Sequence, residues 1–149
     1  MNTTFIILNW NTAQITKKCV LSIYKHLDKK DFQIVIVDNA STDNSISLFK
    51  KLQKKHKNLF IIKNQSNLGF SAGNNTAQKY FITKYLVFLN SDILLFDNSI
   101  TNAINYLKKH KNIGLVAPKL ILADGTTQNS IYPPQTIINA IKQYWFGKK

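Results

Sequence analysis

Short apolar runs alternate along this chain with segments whose apolar residues recur every three or four positions. Phe5, Ile6, Ile7 and Leu8 make the first run, Ile34, Val35, Ile36 and Val37 the second, residues 59–62 the third and residues 85–89 the fourth. Runs of this length bounded by polar residues read as strands, and the fourth, entirely apolar, as a strand buried on both faces of a parallel sheet covered by helices. Between the runs, Val20, Ile23, Tyr24 and Leu27 trace one side of a helix whose other side carries Lys18, Lys25 and Lys29. Ile46, Phe49 and Leu52 do the same over residues 45–55, as do Ala77, Tyr80 and Phe81 after the third run and Ile100, Ala103, Ile104 and Leu107 after the fourth. A further strand is expected at Leu115, Val116 and Ala117, and a hairpin turn at Asp124-Gly125. Repeated strand, loop and helix units of this kind define an α/β layered fold with a mostly parallel sheet.

Polar residues gather where the strands end. The first run breaks into Asn9-Trp10-Asn11-Thr12, the second into Asp38-Asn39-Ala40-Ser41-Thr42-Asp43, and the fourth into Asn90-Ser91-Asp92. Ligands of open α/β sheets bind in the crevice outside the carboxyl ends of the strands. Asp92 is therefore placed either to meet a cation or polar ligand or simply to cap its turn. Asp38 ends a buried strand at the same edge, where an acceptor suits an N–H of a base or a hydroxyl of a sugar. Thr42 or Asp43 is suited to cap the following helix. The third run leads into residues 64–75, a polar loop containing Gly69 and Gly73, and such a loop can aim backbone N–H groups at an anion. It matches neither the dinucleotide fingerprint nor the Walker A pattern. His26 has no metal partner at matching spacing and reads as a surface histidine, while His110 joins Lys108, Lys109 and Lys111 at a helix end, where positive charge suits the dipole.

Composition changes this picture little. The 149 residues suffice for one domain with a real core. Cys19 is the single cysteine, so no intramolecular disulfide forms, which fits a reducing compartment. The expected location is cytoplasmic, because the apolar run near the N-terminus is too short for a signal peptide or a membrane span. The formal charge of +13 invites a nucleic-acid partner, yet every basic residue is Lys and every acid Asp. Without Arg the commonest specific contact to guanine is missing, so no specific nucleic acid is expected and most lysines read as solvated faces. Ile137, Ile138, Ile141, Tyr144 and Trp145 recur at helical spacing after the Pro133-Pro134 break. Such a stripe suits packing on its own domain or a partner chain, and secondarily contact with the inner membrane face.

Taken in order, the Asn9-Trp10-Asn11 break, V-D-N-A-S-T-D at residues 37–43, N-L-G-F-S-A-G-N-N at residues 67–75, L-N-S-D at residues 89–92, and the later A-P-K-L and D-G resemble the nucleotide-sugar-binding half of a family 2 glycosyltransferase, rhamnosyltransferase-like. The resemblance implies a Rossmann-like GT-A domain over residues 1–134 followed by an amphipathic basic tail over residues 135–149. It implies an enzyme that takes a UDP- or dTDP-linked sugar donor with Mg²⁺ or Mn²⁺ and a glycan or lipid-linked acceptor, in surface polysaccharide synthesis. By position, Asn9, Trp10, Asn11 and Asp38 would line the base and ribose, Asn67, Gly69, Asn74, Asn75 and Asn90 would lie by the nucleotide and diphosphate, and Asp92 would bind the metal. Asn90 stands where a strict D-x-D has its first acid, and Ser91 where relatives often have Pro. Members of this family invert the anomeric centre with a carboxylate as general base. None of the seven acids is a good candidate, so the acceptor half is expected to be absent. The alternative is a non-catalytic nucleotide-sugar-binding or assembly module.

Overall fold

The computed structural model describes residues 2–129 and 136–145. Two compact units divide the chain, Met1–Asn105 and Tyr106–Lys149. In the first, β1 (Thr3–Asn9), β2 (Phe32–Asp38), β3 (Leu59–Lys63) and β4 (Tyr85–Asn90) form one sheet in the order β3-β2-β1-β4, with every pairing parallel. Parallel neighbours need a crossover, and helices supply it. α1 (Ala13–His26) joins β1 to β2, and α2 (Ser45–Lys55) joins β2 to β3.

Side chains alternate across each strand, so one sheet makes two cores. Phe5 and Ile7 of β1 and Ile34 and Ile36 of β2 meet Cys19, Val20 and Ile23 of α1 and Phe49 and Leu52 of α2. Ile6, Val35 and Val37 point the other way, against Ala77, Tyr80 and Phe81. The connection from β3 to β4 covers that second face with α3 (Gly69–Asn75) and a 3₁₀ turn at Gln78–Tyr80.

Three expectations are corrected. Helix α3 begins inside the segment expected to be loop, and only the short 3₁₀ turn occupies the place expected for a helix through Tyr80. β4 is not buried on both faces: it alternates, with Leu86 38% and Phe88 51% exposed. It is an edge strand, and on that side Phe88 meets the Phe81 ring edge-on at 6.0 Å. Leu115, Val116 and Ala117 form no strand.

α4 (Ser99–Lys109) contains the division between the units. In the second unit, Tyr106 and His110 rings lie 4.2 Å apart. The expected hairpin is present: Ile121 bridges Thr127 antiparallel, Leu122 and Gln128 donate to the carbonyls of Thr126 and Leu120, and Gly125 turns the chain at φ 83°. α5 (Ile137–Trp145) exposes Ile137, Ile138, Tyr144 and Trp145. The Tyr132-Pro133-Pro134 break and Lys148-Lys149 lie outside the described residues. No helix among the described residues is long and apolar enough to cross a membrane.

Candidate functional site

The first two crossovers move outward from β1 on one side, whereas β4 returns to the other side of β1. The carboxyl ends of β1 and β4 therefore flank a topological switch point, where adjacent loops diverge and leave a crevice. Register aligns the edge: Leu8 pairs with Asn90, Asn9 with Asp38 and Asp38 with Lys63.

Asn9 is fully buried beneath this edge. Its Nδ2 donates to Asp38 Oδ1 at 2.8 Å, Ser41 Oγ at 3.0 Å and Ser45 Oγ at 2.9 Å, while its Oδ1 accepts from Thr12 and Thr16 hydroxyls at 2.9 and 2.7 Å. Asp38 is equally buried, and its Oδ2 accepts the Ser41 N–H at 3.1 Å. Both carboxylate oxygens of Asp38 thus shape the turn after β2 from within. Above them Asn11, at φ 54°, accepts the Thr42 N–H at 2.8 Å through its side chain and gives its own N–H to Ser41 Oγ at 2.9 Å. Asp43 accepts from Ser45 N–H at 3.0 Å and from Ala13 N–H at 3.3 Å, so one carboxylate serves the first turns of both α1 and α2. Burial works against its ionisation, but those hydrogen bonds prevail and hold it below the usual carboxylate range. Trp10, 56% exposed, stands out from this framework toward solvent.

Asn39 does for the next loop what Asn9 does for the first. Its Oδ1 accepts from Leu68 N–H and Asn64 Nδ2, both at 3.1 Å, and its Nδ2 donates to Asn67 Oδ1 at 2.7 Å and the Gly69 carbonyl at 3.1 Å. Asn67 also accepts the Gly69 N–H at 2.9 Å. The Leu68 and Gly69 N–H groups are thereby consumed inside the protein. Asn74 is buried and donates to the Phe70 carbonyl one helical turn back, whereas Asn75 is exposed. Gly73 lies so close to β1 that a Cβ there would sit 2.8 Å from Leu8 Cδ1. Between the two loops an open concavity of about 430 Å³ is lined by Ala40, Ser41, Lys63, Asn64 and Gln65.

Across the switch point, Asn90 is exposed and its carbonyl accepts from Cys19 Sγ at 3.7 Å. Thr12 Oγ1 reaches Ser91 Oγ at 3.5 Å. Burial, with the Asp92 charge adding to it, pushes the Cys19 thiol up to about 12, which removes it as a nucleophile. Asp92 is exposed, and among the described residues its carboxylate accepts no hydrogen bond. No group of three or more His, Cys, Asp or Glu among the described residues could hold a metal. A single free carboxylate fits a hard cation that takes most of its oxygens from a phosphate ligand and water, as Mg²⁺ and Mn²⁺ do in nucleotide sites. Sequence reasoning set Asn9, Asp38 and Asp92 at the carboxyl edge of the sheet and did not single out Asn39, Ser41 and Ser45, of which the first two lie inside the V-D-N-A-S-T-D stretch and Ser45 two residues after it.

A parallel α/β sheet with polar side chains gathered at its switch point defines a Rossmann-like α/β protein. The description "Glycosyl transferase family 2" matches residues 4–144, and the chain belongs to that family. It is 26% identical over 132 residues to an uncharacterized glycosyltransferase of Methanocaldococcus jannaschii, covering 87% of this chain and 46% of that protein. It is 34% identical over 117 residues to the teichoic acid poly(glycerol phosphate) polymerase of Staphylococcus epidermidis, covering 77% of this chain and 16% of that one. The chain thus spans less than half the length of these relatives. Among solved structures, S. aureus TarS 1-349 in complex with UDP-GlcNAc superposes with a TM-score of 0.66 at 24% identity, over 74% of this chain and 32% of TarS. The mannosyltransferase PcManGT from Pyrobaculum calidifontis, in complex with GDP-Man and Mn²⁺, gives 0.67 at 24% identity over 71% and 32%. These likenesses establish the GT-A type of fold.

Proposed function

We propose that this chain binds the nucleotide-sugar donor of an inverting glycosyltransferase that builds a cell-surface polymer. One observation carries the reading: of the acids at the carboxyl edge of the sheet, Asp92 alone keeps a free carboxylate, and it sits at the switch point. Trp10 and Asn11 would face the base and ribose on one side, and Asn90 and Asp92 the diphosphate on the other. Asp92 would hold Mg²⁺ or Mn²⁺, and such an ion, when bound, neutralises charge developing on the diphosphate leaving group. Asn9 and Asp38 keep the β1 and β2 turns in shape from below. The UDP complexes of TarS and the teichoic-acid relatives support a UDP-linked donor and a glycan or lipid-linked acceptor.

Transfer with inversion needs a carboxylate to take the acceptor proton, and the other acids are engaged or distant. Asp38 and Asp43 are hydrogen-bonded as described, Asp28 accepts from Lys30 N–H, Asp97 from Ser99 N–H and Asp124 from Thr126. Asp31 precedes β2, at the opposite edge of the sheet. This distribution favours a donor-binding part that relies on an acceptor-activating group supplied elsewhere.

Thermal-shift titration against UDP-, dTDP- and GDP-sugars, with and without Mn²⁺, tests the reading. A donor at about 100 times its dissociation constant should stabilise the fold by roughly 2.7 kcal/mol. The rise is expected with one nucleotide class, dependent on metal and lost in Asp92→Ala. No rise with any donor overturns the proposal.

A further inference from the structure

Asn39 uses every hydrogen-bonding direction its side-chain amide possesses. Two N–H donors and two carbonyl lone pairs are available to an Asn side chain, and all four are engaged, by Asn67 Oδ1, the Gly69 carbonyl, Leu68 N–H and Asn64 Nδ2. The residue is 2% exposed, and its backbone N–H continues the sheet by donating to the Asn9 carbonyl at 2.8 Å. One residue therefore ties together the end of β1, the turn after β2 and the whole of the segment from Asn64 to Gly69. The approach of α3 is adapted to it: a Cβ on Gly73 would lie 3.3 Å from both Asn39 side-chain polar atoms.

Chemistry restricts the position to Asn. Aspartate has no donor for the Asn67 and Gly69 oxygens and would set a charge against them, and leucine, of similar shape, would strand four polar partners. Fully satisfied buried amides of this kind define one geometry. The geometry set here is that of the concavity beside Asp38, because Ala40 and Ser41 of one wall follow Asn39 directly while Asn64 of the other is bonded to its side chain, with Gln65 next in sequence.

We infer that Asn39 is a positioning residue that latches residues 64–69 to the end of β2 and so fixes the concavity lined by Ala40, Ser41, Lys63, Asn64 and Gln65, which would extend the donor crevice beside the nucleotide, an inference that rests on the donor-site reading above. It touches no ligand itself. Its removal should weaken nucleotide binding more than an equal loss of stability elsewhere would.

Amide hydrogen exchange, melting temperature and the affinity for UDP with Mn²⁺, measured by calorimetry well below each melting point, test this on Asn39→Ala, Asn67→Ala and Asn58→Ala. Asn58 is a buried control at the opposite edge of the sheet, where its Nδ2 donates to the Phe32 carbonyl at 2.9 Å. Asn39→Ala should accelerate exchange at Leu68 by about tenfold or more and weaken UDP binding by about tenfold, the equivalent of one lost hydrogen bond. Asn67→Ala, at an exposed position, should fold even if Asn39→Ala does not, and shift Gly69 exchange and UDP affinity in the same direction by less. Asn58→Ala should lower the melting temperature and leave UDP affinity unchanged. Unaltered Leu68 exchange in Asn39→Ala, or unaltered Gly69 exchange in Asn67→Ala where the first variant does not fold, overturns the latch. Faster exchange with unchanged affinity overturns the positioning role. Failure of the unmodified chain to bind any of UDP, dTDP or GDP with Mn²⁺ overturns the donor-site reading, and the positioning role with it, whatever the exchange shows.

Discussion

Asn9 offers two amide hydrogens to three acceptors, so the polar cluster beneath the crevice shares its donors and no single contact can be removed quietly. Asn9→Ala leaves the buried Asp38 carboxylate without its side-chain donor. Losing a bond to a buried charge costs about 3 kcal/mol, and urea denaturation of Asn9→Ala should show a destabilisation of that order. His56 presents a different vulnerability. It stacks on Tyr24 at 3.9 Å between ring centres, and its Nδ1 is buried with no hydrogen-bond partner among the described residues. Burial, then the charges of Lys29 and Lys55, hold its pKa below the usual 6.5. The unfolded chain binds the proton more readily, so stability is full above about pH 6.5 and falls as pH drops through the lowered native value. Melting temperatures recorded between pH 7.5 and 5 should decline in the wild type, and that part of the decline should vanish in His56→Phe. The sequence made Asn9 and Asp38 legible because each follows directly on an apolar run, and Asp92 because it closes the polar break after one. Asn39 was not legible, since in a stretch rich in Asn, Ser and Thr nothing but the fold distinguishes a latch from a loop residue.

At the level of elements, what the pattern revealed and what it hid have one cause. β1, β2, β3, α1 and α2 follow from apolar spacing because each is flanked by sequence-adjacent partners. The run Y-L-V-F-L of β4 could not declare itself an edge strand, since its exposed Leu86 and Phe88 are set by what covers them and not by their own character. Helix α3, with two glycines in seven residues, has poor helical propensity. It forms where Gly73 lets its backbone approach Leu8, a tertiary reason invisible in a one-dimensional pattern. Gly73→Ala improves propensity yet places a methyl 2.8 Å from Leu8 Cδ1. Overpacking of this kind costs about 1–3 kcal/mol. A lowered melting temperature with weaker donor binding is expected. A raised melting temperature would mean that Leu8 moves aside at little cost.

For the molecule as a whole, the lysine excess sets behaviour toward polyanions without setting specificity. Retention on double-stranded DNA should fall steeply with added salt, as counterion release requires, and be the same for Asp92→Ala as for the wild type. Competition by random-sequence DNA checks this, and a preference for one sequence would contradict it. The order of strands has a further consequence, in time and not in space. β1 pairs with β2 through Thr3 and Phe32, but with β4 through Thr3 and Tyr85, and longer loops close more slowly. Amides on the β2 side of β1 should be protected early in a pulse-labelled refolding experiment and those on the β4 side late. Chain growth from the N-terminus imposes the same sequence. A nascent chain therefore holds three of the four described strands before β4 completes the switch point.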